Sequence, residues 1–467
     1  MSTSKLLLIG IDAATFDVID ALVSRGKLPT LAHLMRTGVS GELRSTIPPM
    51  SPVAWSSLIT GMNPGKHGIF NFTRPRANTY DIEFVNGGMR KAPALWSILS
   101  SNGRQVGVIN VPMSFPPERV NGFLISGMDA PGPDSQFTYP PSLREEIRKQ
   151  VGGYDIDYLF SGMSTEGNEP EILSGLRRMA NQRAATARYL MRTWNWDFFM
   201  PVFIVIDRVQ HHFWHYSDPS HSAHRPDLID KYGSVVHDMY ELIDSHISGL
   251  LDLMPDDGLV MIVSDHGFGP NDKSVPFLDM KEWLRSEGLL SLISIGRSGI
   301  GLKNLFQRWS TSSLRAIKAA LRRHLSSNLR TVLKTRLPRL HETVDSRIFI
   351  LGIDWARTKV YPTYDELVSH GLRINLLGRE PQGTVRPGRD YEALRQFLVK
   401  RIESLRRPDT GEKVVRGVHL REVLYPGPYT DDAPDLVIEW GDEAYSSGAG
   451  SSFSAAETAQ SGGTASS

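Results

Sequence analysis

The 467-residue chain contains no cysteine. That excludes disulfides, thiolate metal sites and a cysteine nucleophile, and leaves the redox compartment open. Nor is there an uninterrupted apolar run of the 18 or so residues that a membrane-crossing helix needs. The N-terminal stretch MSTSKLLLIGID has too short an apolar core for a signal peptide and no small-residue cleavage pattern. A cytoplasmic location is the resulting expectation. Acidic residues are missing between Arg297 and His341, where 11 Lys and Arg occur. The rest of the chain holds 41 basic and 51 acidic residues, so a net charge of +1 conceals one basic segment on a mildly acidic body. Finally, no histidine follows His419.

What is present reads as an α/β protein. Short, continuously apolar runs recur: LLLIGI at 6–11, VGVINV at 106–111, VFIVI at 202–206, LVMIV at 259–263 and DLVIE at 435–439. Continuous rather than alternating hydrophobicity marks strands buried on both faces, as in a parallel sheet covered by helices. Helical patterns lie between them, including TFDVIDALVSRG from Thr15, PSLREEIRKQVGG from Pro141 and YEALRQFLVKRIESLRR from Tyr391. The expected fold is therefore a mostly parallel central sheet with helices on both faces. The expected division is an α/β core at 1–284 resumed at 346–445, a basic helical insertion or cap at 285–345, and a Ser/Gly/Ala-rich disordered tail at 446–467.

Three of the apolar runs end in aspartate: Asp12, Asp207 and Asp265, the last followed by His266. A single Asp-His pair before two glycines reads first as a turn. Three such ends read differently, because ligands of open α/β sheets collect beyond the carboxyl ends of the strands. Carboxylates 195 and 58 residues apart in sequence can converge there on a cation. In IDRVQHHFWHY, Asp207 and His211 are one helical turn apart and share a face. His212 and His215 fit a surface helix. The segment SPVAWSSLITG reads as a helix with Ser51 at its N-cap and Pro52 at its first position. Capping alone accounts for a serine there. A hydroxyl beside a divalent ion at a helix N-terminus would equally serve as an activated nucleophile.

Taken in order, IGIDAATFDVI, SPVAWSSLITGMNPGKHGIF, IDRVQHHFW and VSDHGFG resemble the alkaline phosphatase superfamily, and in particular its type I phosphodiesterase/nucleotide pyrophosphatase branch, over roughly residues 5 to 440. The resemblance implies a phosphoric-ester hydrolase with two divalent ions, zinc or else manganese, flanking a Ser or Thr nucleophile. Ser51 would be that nucleophile. Asp12, Asp265 and His266 would hold one ion, and Asp207 and His211 the other. Asn71 would be the candidate for binding a phosphoryl oxygen, with an ordinary turn residue the preferred account.

One ligand of the pattern is missing. The family's second ion takes a further histidine late in the chain, and this sequence has only His370 and His419 beyond the basic segment. The second site is thus expected to be incomplete, and a truncated, catalytically impaired relative acting through its basic insertion is the alternative reading. The partner expected is a small phosphate ester. The segment 297–341 suits a cap that attracts anions, or an anionic membrane surface, ahead of nucleic acid.

Overall fold

A computed structural model describes residues 5–157, 167–270, 279–293, 352–364, 369–407 and 411–441. Of the insertion expected at 285–345 only 285–293 fall among these, and the tail expected at 446–467 falls wholly outside them.

Strand β1 (Leu6–Ile11) lies inside a six-stranded sheet with β4 (Val106–Val111), β5 (Gly122–Ser126), β6 (Thr138–Tyr139), β7 (Phe198–Phe203) and β8 (Leu259–Val263). Their order is β6-β5-β4-β7-β1-β8, and every pairing is parallel except β5 with β6. Every residue of β4 and β7 is buried, as continuous apolar runs require when helices flank a sheet. The α/β architecture and its mostly parallel sheet are those the sequence predicts. Two details differ. The run 202–206 is not one strand: β7 ends at Phe203, and α4 (Val205–Ser217) begins within it. Burial carries across the strand–helix junction, and apolar continuity cannot mark the change. Strand β8 is the sheet edge, with Leu259 58% and Met261 50% exposed, where its composition predicts burial on both faces.

Gly10 in β1 is fixed by close approach. A Cβ there would come within 2.5 Å of the Trp55 ring and 2.8 Å of Val202. The indole of Trp55, from α2 (Ser51–Thr60), lies over the strand at that point. Around the sheet pack α1 (Phe16–Ser24), α3 (Glu169–Thr193), α4 and α5 (Val235–Leu251), which share its core. No helix among the described residues is long and apolar enough to cross a membrane.

A second sheet, antiparallel throughout, has the order β11 (Val415–Leu420), β12 (Leu436–Trp440), β10 (Gly371–Ile374), β9 (Val360–Pro362). The run DLVIE falls in β12, so it belongs here and not to the parallel sheet. Burial on both faces identified the strand but not its sheet. Leu372, Ile374, Leu436 and Ile438 form a separate core with Trp283 of α6 (Met280–Ser286) and Leu398 of α7 (Arg389–Glu403).

The two sheets meet through residues 47–71, a segment that includes α2 and precedes the hairpin of β2 (Thr73–Pro75) and β3 (Ile82–Phe84). The Tyr429 N–H donates to the Gly65 carbonyl at 2.9 Å, and Asn63 Nδ2 donates to the Leu424 carbonyl at 3.0 Å. The Tyr425 hydroxyl donates to the Ile47 carbonyl.

His67, fully buried in this segment, accepts the Ile69 N–H at Nδ1 (3.2 Å), so Nε2 carries the proton it shares with Ser57 Oγ at 3.0 Å. Burial, aided by the Arg90 charge, lowers its pKa to about 4. An unfolded histidine titrates near 6.5. Between those values the unfolded chain holds the extra proton, so this contribution is intact above about pH 6.5 and is lost as pH falls toward 4. At pH 5 the loss should be about 2 kcal/mol relative to pH 7.5. Urea unfolding at both pH values, for wild type and His67→Gln, checks this. The variant should lose about that much of the pH difference, and an unchanged difference refutes it.

Candidate metal centre and nucleophile

Three neighbouring parallel strands, β7, β1 and β8, deliver the candidate ligands at their carboxyl ends. Asp12 directly follows β1, and its N–H continues the ladder to the Phe203 carbonyl at 3.0 Å. Asp265 and His266 follow β8. Asp207 sits in the first turn of α4, with His211 one turn on and its Nε2 3.3 Å from Asp207 Oδ1. One ligand atom from each of Asp12, Asp207 and His266 lies within 4.8 Å of the others. His266 Nε2 is 3.4 Å from Asp265 Oδ2 and 3.7 Å from Asp12 Oδ1. The family resemblance implies a second ion for Asp207, yet Asp207 stands inside the same cluster as Asp12 and His266.

The donors are held from behind. Trp55 Nε1 donates to Asp12 Oδ2 at 2.9 Å, and the Ala13 N–H to Asp265 Oδ1 at 3.2 Å. Ala13 has φ +59°, unusual for a residue with a Cβ. That conformation turns its N–H toward Asp265 while its carbonyl accepts from Gln210 Nε2 at 2.9 Å. His266 Nδ1 donates to the Gly267 carbonyl at 2.8 Å, which leaves Nε2 bare in the neutral ring and facing the carboxylates. Asp12 Oδ1, Asp265 Oδ2 and His211 Nδ1 are buried without a hydrogen-bond partner among the described residues. Buried anionic oxygens in that state call for a cation.

Electrostatics agree. Burial, then the Asp265 and Asp207 charges, push Asp12 well above the usual carboxylate range, and burial likewise raises Asp265. Burial works against the charge on His266, but Asp265, Asp12 and Asp207 overcome it and lift the ring to about 9. Asp207 moves the other way: burial opposes its charge, while His211 and Arg208 hold it low. A proton on His266 occupies the place a metal ion would take. Asp and His donors fit zinc and other divalent ions of similar preference.

Ser51 is not the N-cap. Met50 caps α2 in extended conformation without any side-chain bond, Ser51 is the first helical residue, and Pro52 follows it. Its hydroxyl, not spent on capping, lies 3.1 Å from His266 Nε2. Asn71 is buried, its Oδ1 accepting the Phe72 N–H at 2.6 Å and its Nδ2 reaching the Tyr364 carbonyl at 3.4 Å. At least part of its amide therefore serves the backbone. His419 Nε2 pairs with Glu439 Oε2 at 2.8 Å in the second sheet, and His370 lines a small cavity with Pro48, Phe70 and Asn71. Neither belongs to the Asp–His cluster found among the described residues. Sequence reading missed Trp55, Gln210 and Arg208. All three lie inside the motifs that carry the ligands, but only their folded contacts give them a role.

Fold and family are those of a hydrolase of the alkaline phosphatase superfamily, and Asp12, Asp207 and His266 form a group that could hold a metal ion. Over residues 6–464 the chain matches the type I phosphodiesterase / nucleotide pyrophosphatase family, and it belongs to that family. It is a hydrolase of this type, in a family that typically depends on divalent metal ions. Among solved structures it is similar to phosphonoacetate hydrolase from Sinorhizobium meliloti 1021 in complex with phosphonoacetate, with 15% identity and a TM-score of 0.50 over 94% of this chain and 81% of that one. Murine ectonucleotide pyrophosphatase / phosphodiesterase 5 aligns with 13% identity and a TM-score of 0.38 over 62% of this chain and 64% of its own. No curated protein matches by sequence.

Proposed function

We propose that the protein hydrolyses phosphodiesters or nucleotide-type pyrophosphates, with Ser51 as nucleophile and divalent ions, zinc or else manganese, held by Asp12, Asp207, His211, Asp265 and His266. The observation that carries this reading is the Ser51 hydroxyl, 3.1 Å from His266 Nε2 at the edge of the carboxylate cluster. Bound there, a divalent ion would lower the pKa of the hydroxyl and neutralise charge on the phosphoryl oxygens. Ser51 Oγ attacks phosphorus in line and loses its proton, the bond from phosphorus to the ester oxygen breaks, and that oxygen leaves with a proton. Water then opens the phosphoseryl ester and restores the serine. Asp12 and Asp265, braced by Trp55 and the Ala13 N–H, keep the nucleophile's surroundings fixed through both steps. Segment 297–341, with 11 basic residues and no acidic one, would draw in the anionic substrate or rest on an anionic membrane surface.

The test is hydrolysis of bis(4-nitrophenyl) phosphate and of thymidine monophosphate 4-nitrophenyl ester in zinc- and manganese-buffered solution. Chelation should lower turnover at least about a hundredfold, and returning the ion should restore it. Turnover that survives chelation, or no turnover of either diester with either ion, overturns the proposal.

A further inference from the structure

Arg208 follows Asp207 in sequence, yet its side chain is largely buried and turns back on its neighbour. Its Nη1 lies 2.6 Å from Asp207 Oδ2, while Nη2 lies 2.8 Å from Asp157 Oδ2 and Nε 3.3 Å from both Asp157 oxygens. Asp157 itself is buried, with 3% of its side chain exposed. The loop carrying it is pinned in turn. Fully buried Arg183 donates through Nη2 to the Asp155 and Ile156 carbonyls at 3.0 and 3.1 Å, and through Nη1 to the Val202 carbonyl of β7 at 3.1 Å. The guanidinium of Arg208 is thus built into the wall of the site rather than swinging from its surface.

This has a consequence for charge. Asp207 has one oxygen, Oδ1, on the His211 side at 3.3 Å, and the other committed to Arg208. A guanidinium at hydrogen-bond distance withdraws negative charge from the carboxylate and repels an incoming cation in a site with little water to screen it. Arg208 makes no direct contact with Asp12 or Asp265 among the described side chains: their braces are neutral N–H donors, and each keeps a buried oxygen that faces His266 Nε2, at 3.7 and 3.4 Å, without a hydrogen bond. The two halves of the cluster therefore differ in charge as well as in the number of donor residues, two against three.

We infer that Arg208 acts as a resident cation on Asp207, confining it to one ligand oxygen, so that the Asp207–His211 position binds a divalent ion more weakly than the Asp12–Asp265–His266 position. The inference rests on the metal-centre reading given above. It makes occupancy of the weaker position a function of available metal: at low concentration the protein carries one ion, and the second arrives only when supply rises.

Zinc and manganese titrations of the metal-stripped full chain, read by calorimetry and by elemental analysis after dialysis, test this without reference to turnover. Wild type should show two classes of site at least tenfold apart. Arg208→Gln should tighten the weaker class at least tenfold and change the tighter class by less than threefold. Arg208→Lys, which keeps the charge, should leave both near wild type. Because Arg208→Gln leaves Asp157 buried and unpaired, the charge-neutral pair Arg208→Gln/Asp157→Asn guards against misfolding and should tighten the weaker class as well. Two equal sites in wild type, or a weaker class that stays unchanged or weakens further in the folded variants, overturns the assignment of Arg208 alone. A wild-type protein that binds neither ion overturns the metal-centre reading, and this inference with it.

Discussion

Replacing Ser51 by alanine should lower diester hydrolysis at least about a thousandfold, the scale on which removal of a covalent nucleophile acts. Little else should change. The hydroxyl makes one hydrogen bond, to His266 Nε2, and caps nothing, so stability should fall by no more than about 1 kcal/mol. The Asp–His ligands are untouched, so bound metal should match wild type. Acid-quenched wild-type enzyme should yield a phosphoryl group on the peptide containing Ser51, and the variant should yield none. A variant that keeps a tenth of the wild-type rate, with the label on another residue, removes Ser51 from the mechanism.

Gly65→Ala should act at the other extreme, on folding. A Cβ at Gly65 would overlap the Tyr425 carbonyl, and one at Gly427 would overlap the Gly65 carbonyl. The two backbones are in contact at the seam between the sheets, where no rotamer change can relieve a clash. The expected cost is about 3 kcal/mol or more, at the upper end for overpacking. Because α2 lies in the same segment, hydrolysis should fall along with stability. Gly41→Ala is the control: a Cβ there meets nothing within 4 Å, and its effect should stay within about 0.5 kcal/mol. Equal urea midpoints for the two variants would show that the seam yields.

Much of the candidate site's layout was legible because it depends on strand ends. Runs at 6–11, 106–111 and 259–263 coincide with β1, β4 and β8, and a parallel sheet puts their carboxyl ends on one rim. From that followed the convergence of Asp12, Asp265 and His266. Asp207 lies in a helical turn after β7 rather than at the strand terminus its apolar run suggests, and it stands with Asp12 and His266 rather than apart from them. Ser51 illustrates the opposite limit. Its sequence context is that of a cap, and only its position one residue into α2 frees the hydroxyl for His266. The exposure of β8 and the separate sheet holding β12 were not legible, because apolar content reports burial and not neighbours. Arg208 was hidden for a related reason: a charge beside a ligand reads as surface until a second carboxylate, Asp157, is seen to face it.

The central place of β1 also has a meaning in time. Within this sequence β1 is made before both of its neighbours, since Leu6 pairs with Phe198 on one side and Leu259 on the other. At translation rates of 5–20 residues per second, the second neighbour arrives roughly 10–50 s after the first strand is made. Until then β1 can join the sheet only through β7, and Asp12 and Asp207 wait for Asp265 and His266. The Asp–His cluster is complete only when β8 docks, so the nascent chain is most in need of protection while that edge of β1 stands open.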